Sequence, residues 1–124
     1  GHDVYLESNA GQAANFTDNN YSEQGAQIVY DTKKVYEADI IIKIAPPTLE
    51  EIELMKPGQL LISTLQLATL KAESLHALIK KKITAVCFEH LEDEGGSLTV
   101  VRAMSEIVGA TSVLIAAEYL SNSW

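Results

Sequence analysis

The sequence predicts an open α/β fold on a mostly parallel, twisted sheet of about five strands with flanking helices, and three observations predict it. Apolar stretches of strand length recur at residues 3–7, 27–30, 39–45, 59–64 and 84–90, with helix-forming segments between them. Such alternation is the pattern of parallel βα units. The run Ile40, Ile41, Ile42, Lys43, Ile44 lacks the apolar/polar alternation of a half-exposed strand, so this strand is expected at the centre, covered on both faces. A chain of 124 residues with 47% hydrophobic content has the size and the apolar stock for one domain.

Each element has a local cause. Thr48 precedes Glu51 by three residues, the spacing at which hydroxyl and carboxylate satisfy each other's orphan amides, so a capped helix is expected over 49–55. Pro57 and Gly58 end it, because proline has no amide to donate and glycine accepts the turn into the next strand. Residues 70–81 carry Leu70, Leu75, Leu78 and Ile79 at near-helical spacing, and Lys80, Lys81 and Lys82 place positive charge at the negative end of the dipole. Gly95 and Gly96, beside Glu92, Asp93 and Glu94, mark an exposed loop. The last segment, about 103–120, is apolar on most faces and predicts a helix wedged between layers or domains. The expected organisation is therefore an α/β domain over 1–102 and a connector helix over 103–124.

Charge and composition exclude several functions. Seventeen acidic residues against nine basic ones give a net charge of −8, which repels phosphate backbones and anionic membrane surfaces, so neither nucleic acid nor membrane is an expected partner. The longest uncharged run, 57–70, is too short to cross a bilayer. Cys87 has no second cysteine to pair with, which suits a reducing cytoplasm. The chain opens on Gly1 and enters strand-like sequence at once, as a piece of a longer polypeptide would. An unpaired sheet edge and an uncovered apolar face are then expected, and with them a homo-oligomer.

Dinucleotide folds need closely spaced glycines after a strand, so that pyrophosphate approaches backbone amides at a helix N-terminus. None of the seven glycines has that spacing. His2, His76 and His90 lack metal-ligand spacing, and no G-x-S-x-G elbow supports a serine nucleophile. His76 reads as a solvated helix residue, whereas His90 closes a strand. Open parallel sheets bind ligands beyond the carboxyl ends of their strands. That rule directs attention to K-I-A-P-P at 43–47, S-T-L-Q-L-A at 63–68, His90, and R-A-M-S-E-I-V-G at 102–109.

Those stretches, with the opening G-H-D-V-Y-L-E-S-N-A-G and the loop E-D-E-G-G-S-L at 92–98, resemble in the same order the N-terminal substrate domain of the alanine dehydrogenase and nicotinamide nucleotide transhydrogenase family, closest to alanine dehydrogenase. The likeness runs from Gly1 to about Gly109. It implies a Rossmann-like substrate domain that lacks its first strand and helix. It also implies a separate NAD-binding Rossmann domain, interconversion of L-alanine and pyruvate with ammonia, and a fragment inactive alone. By the resemblance, Lys43 and Glu89 line the 2-keto or amino acid substrate, and Met104 and Ser105 border the nicotinamide, with the first turn of the connector helix and a cap as the alternative for Ser105. Arg102 stands where relatives have a small residue, and its guanidinium suits a substrate carboxylate. Two departures matter. Ala45 replaces the family's substrate lysine, and Gln66 replaces its histidine; a carboxamide donates a hydrogen bond but takes up no proton near neutral pH. Those replacements keep open a transhydrogenase-like nucleotide-binding subunit and a non-catalytic binding or regulatory relative.

Overall fold

A computed structural model describes residues 1–121. The chain divides into two compact units, the first Gly1–Val86 and the second from Cys87 onward. Residues 122–124 of the expected connector segment lie outside the described residues.

Five strands alternate with helices in the first unit and its exit. They are β1 (Tyr5–Glu7), α1 (Asp18–Ser22), β2 (Gln27–Val29), α2 (Thr32–Val35), β3 (Ile40–Ile42), α3 (Leu49–Leu54), β4 (Leu60–Ser63), α4 (Ala72–Lys80) and β5 (Thr84–Cys87). The α/β class predicted from sequence is the class observed. The hydrogen-bonded ladder falls into two pieces, a pair β1-β2 and a sheet ordered β3-β4-β5. Both β1 with β2 and β3 with β4 run parallel, with Leu6 opposite Ile28 and Ile41 opposite Leu61.

Placing residues 39–45 in the middle of one sheet does not hold, because β4 is the central strand of the three. The register shows why. Successive side chains of a strand point to opposite faces, and Ile41 and Leu61 are 3% and 1% exposed while Ile42 remains 72% exposed. One face of β3 is thus covered and the other, with Ile40, Ile42 and Ile44, is open. An uninterrupted isoleucine run does not distinguish a strand buried on both faces from one whose second face has no cover among the described residues.

The core of this unit gathers Ile41 and Leu61 from the strands, Ile52 and Met55 from α3 and its cap, and Leu78 from α4. Helices α3 and α4 pack against each other. The predicted capping box is present: Thr48 Oγ1 accepts the Glu51 amide at 3.2 Å and Glu51 Oε2 accepts the Thr48 amide at 2.7 Å. Gly58 adopts φ of 79° in the turn after α3, the left-handed region glycine enters without penalty. α4 is shorter than its sequence pattern, and of its apolar set Leu75 and Ile79 stay exposed.

In the second unit, Phe88–His90 forms one 3-10 turn, an isolated antiparallel bridge joins Glu92 to Leu98, and α5 spans Thr99–Ser121. The helix starts earlier than position 103 because 99–102 contain no glycine or proline to break it. At 23 residues it is about 34 Å long. It is long and apolar enough to cross a membrane by length and composition, a test that helices of soluble proteins also pass.

Candidate functional site

The loops that leave β3 and β4 are stitched side by side. Lys43 stays in the ladder, donating its amide to the Ile62 carbonyl at 3.0 Å. Beyond it, the Ser63 hydroxyl lies 2.9 Å from the Ala45 carbonyl oxygen, and the Thr64 hydroxyl donates to the Ile44 carbonyl. Pro46 and Pro47 follow, fixing φ and offering no amide. Two short polar side chains on β4 and just after it therefore satisfy the carbonyls of a segment that can form no further ladder. The segments 43–47 and 63–68, singled out by the strand-end rule, meet through Ser63 and Thr64 at the carboxyl ends of β3 and β4.

Lys43 does not point its charge freely into this crevice. Its Nζ lies 2.6 Å from both oxygens of Glu51, and the two side chains are 19% and 26% exposed. The buried Tyr36 phenol is near enough to Glu51 for each to shift the other's protonation. Burial alone would raise the Glu51 carboxyl, but the Lys43 hydrogen bond, the Thr48 amide, the Lys43 charge and the Tyr36 hydroxyl outweigh it and hold the group below its ordinary 4.5. Tyr36 moves the other way, its phenol pushed far above its ordinary value by burial and by the Glu51 carboxylate.

Ala45 is exposed and presents only a methyl group. Gln66 is exposed with φ of 48°, a left-handed conformation uncommon for a residue other than glycine or asparagine. Its carbonyl accepts the Thr69 amide at 2.8 Å, the Leu70 amide at 3.0 Å and the Thr69 hydroxyl at 3.2 Å, so the turn is held from its far side. Strained backbone of this kind is retained where surrounding contacts over-determine it.

The remaining candidates belong to the second unit. Glu89 sits in the 3-10 turn with Oε2 buried; burial first, and the Glu89 charge second, raise the nearby Cys87 thiol. His90 is exposed at the end of that turn rather than at the end of a strand. Arg102 is largely exposed on α5 and donates from Nε to Glu106 at 3.1 Å, an i,i+4 pair. Met104 and Ser105 are exposed in the second turn of α5. The alternative reading of Ser105 as a helix cap fails, since the helix begins at Thr99.

Sequence reasoning missed Tyr36 and Glu51 as the partner of Lys43, and it marked Ser63 and Thr64 only as part of the segment 63–68, without their bonds to the neighbouring loop. Glu51 carried one signal, its spacing from Thr48, and that spacing announced a cap. Among the described residues no His, Cys, Asp and Glu side chains gather to hold a metal ion. The glycines make no pyrophosphate cradle either: Gly11 packs under Tyr21, where a Cβ would lie 2.5 Å from the ring, and Gly25, Gly58 and Gly96 occupy left-handed positions in open space. The residues present do not fit the phosphates of a dinucleotide.

Comparison with known proteins agrees with this architecture. The family described as alanine dehydrogenase/PNT, N-terminal domain, matches residues 1–108. An alanine dehydrogenase of Methanococcus maripaludis is 40% identical over 121 residues, covering 97% of this chain and 32% of the relative. One from Staphylococcus epidermidis is 34% identical, with 97% and 32% covered. A solved L-alanine dehydrogenase superposes with a TM-score of 0.90 at 34% identity, covering 99% of this chain and 34% of the other. A transhydrogenase from Sinorhizobium meliloti superposes with a TM-score of 0.66 at 26% identity, covering 72% and 26%. The chain thus spans about a third of the length of these alanine dehydrogenases, and by fold, segment order and family match it belongs to the alanine dehydrogenase/PNT N-terminal domain family.

Proposed function

We propose that this chain is the substrate-side half of an alanine-dehydrogenase-type oxidoreductase, interconverting L-alanine and NAD with pyruvate, ammonia and NADH only when joined to a separate dinucleotide domain. The supporting observation is the pair of loops leaving β3 and β4, where Ser63 and Thr64 bond the carbonyls of the segment that bears Ala45 and Gln66 follows on the neighbouring loop. Its lack of a phosphate cradle fits a division of labour in which NAD is bound elsewhere and meets this domain at Met104 and Ser105. In this reading 1–102 is the substrate domain, 103–124 connects it to the dinucleotide domain, and Arg102 and Glu89 line the keto acid. A cytoplasmic setting and a homo-oligomer belong to the same proposal.

Gln66 orients the substrate carbonyl by donating a hydrogen bond, and proton transfer falls to another group, since a carboxamide takes up no proton near pH 7. Ala45 and Gln66 together favour one second reading, a nucleotide-binding relative closer to the transhydrogenases. NADH consumption by the full polypeptide, with pyruvate and ammonia supplied separately and together, tests the first reading. Nucleotide binding without turnover favours the second.

A further inference from the structure

We infer that Glu51 is a positioning residue of the crevice and that Lys43, two residues before Ala45, is its structural counter-ion and not a ligand-binding group. The ligand arm of this inference rests on the alanine-dehydrogenase reading; the positioning arm does not.

Lys43 is the point at which β3 leaves its ladder. Its ammonium reaches both oxygens of one carboxylate, and that carboxylate also accepts the Thr48 amide. Glu51 thereby ties together the end of β3 and the cap of α3. The segment between Lys43 and Thr48 is fixed at its other side by Ser63 and Thr64 and stiffened by two prolines. Both ends of the loop bearing Ala45 are thus anchored, and Glu51 is the anchor shared by strand and helix. An ammonium drawn away to a ligand would leave a part-buried carboxylate without its counter-ion, a change far more costly than replacing the pair with neutral groups. The positive charge of Lys43 is consumed inside the fold, so a carboxylate ligand must find its cation elsewhere. Glu51 acts on ligand choice only through the loop it holds.

Amide hydrogen exchange on the full polypeptide separates these roles. Lys43→Met should speed exchange at the amides of residue 43 and Thr48, which the Ile62 carbonyl and the Glu51 carboxylate hold, by about tenfold or more, and Lys43→Met with Glu51→Gln should return it to within about threefold of wild type. Unchanged exchange in the single variant, or a double variant as fast as the single, overturns the positioning role. Calorimetric titration with pyruvate gives the second readout. The double variant should keep its affinity within about threefold, whereas a loss beyond about tenfold with wild-type exchange would put Lys43 on the ligand and overturn the inference. Absence of pyruvate binding by the wild type defeats the functional proposal instead, and the exchange arm still decides the role of Glu51.

Discussion

Ser63, with no exposed surface, places its hydroxyl between the carbonyl of Ala45 at 2.9 Å and that of Thr64 at 3.0 Å, so the central strand of the three-stranded sheet meets the loop of its neighbour. Ser63→Ala removes the hydroxyl that serves these carbonyls, and a lost partner for a part-buried acceptor costs about 1–3 kcal/mol. Urea unfolding should show a midpoint lowered accordingly at unchanged slope.

Glu51 predicts a pH dependence. Its folded pKa lies below the ordinary 4.5, so the stability it contributes is fully present above that pH and is lost as pH falls through the folded value. Unfolding free energy measured from neutral to acid pH should hold level and then decline below about 4.5. Glu51→Gln should flatten that decline. A wild-type-like acid profile in the variant would show that the decline comes from other carboxylates.

These two residues mark what the sequence made legible and what it did not. The Thr48–Glu51 cap follows from spacing along one helix turn, and the βα alternation follows from apolar periodicity, so both were accessible from the amino acids alone. The Lys43–Glu51 pair joins a strand end to a helix start across a proline-containing loop, and its geometry depends on how that loop turns. The strand-end rule marked the segment holding Ser63 and Thr64, but their bonds to the Ala45 and Ile44 carbonyls emerge only once the neighbouring loop is in place. Exposure of Ile40, Ile42 and Ile44 escaped for a different reason: an apolar run reports the need for cover on both faces, not where the cover comes from.

Gln66 should show a trade between stability and binding. A left-handed backbone costs an L-residue about 1–2 kcal/mol, and glycine removes that strain while losing about 0.5–1 kcal/mol to chain entropy. Gln66→Gly should therefore have an unfolding free energy about 0.5–1 kcal/mol above that of Gln66→Ala, which lacks the carboxamide as well but keeps the strain. Under the proposed function the same change weakens keto-acid affinity, because the carboxamide that orients the carbonyl is gone. Higher stability with unchanged affinity would remove Gln66 from the site.

The open face of β3 and the apolar, exposed length of α5 predict self-association. Ile42 and Ile44 are each 72% exposed, and Leu114 and Tyr119 are 71% and 76% exposed. Apolar surface of this extent is seldom left in water. Light scattering on the 124-residue chain should give a dimer or larger species, and Ile42→Lys with Leu114→Lys should shift the distribution toward monomer. A monodisperse wild-type monomer at high concentration contradicts this prediction.

The most direct measurement is the absorbance of NADH mixed with the full polypeptide, pyruvate and ammonia. Oxidation that requires both pyruvate and ammonia, and ceases when either is withheld, is the predicted result. Undiminished NADH in the complete mixture, from folded protein that still binds the nucleotide, contradicts the assignment.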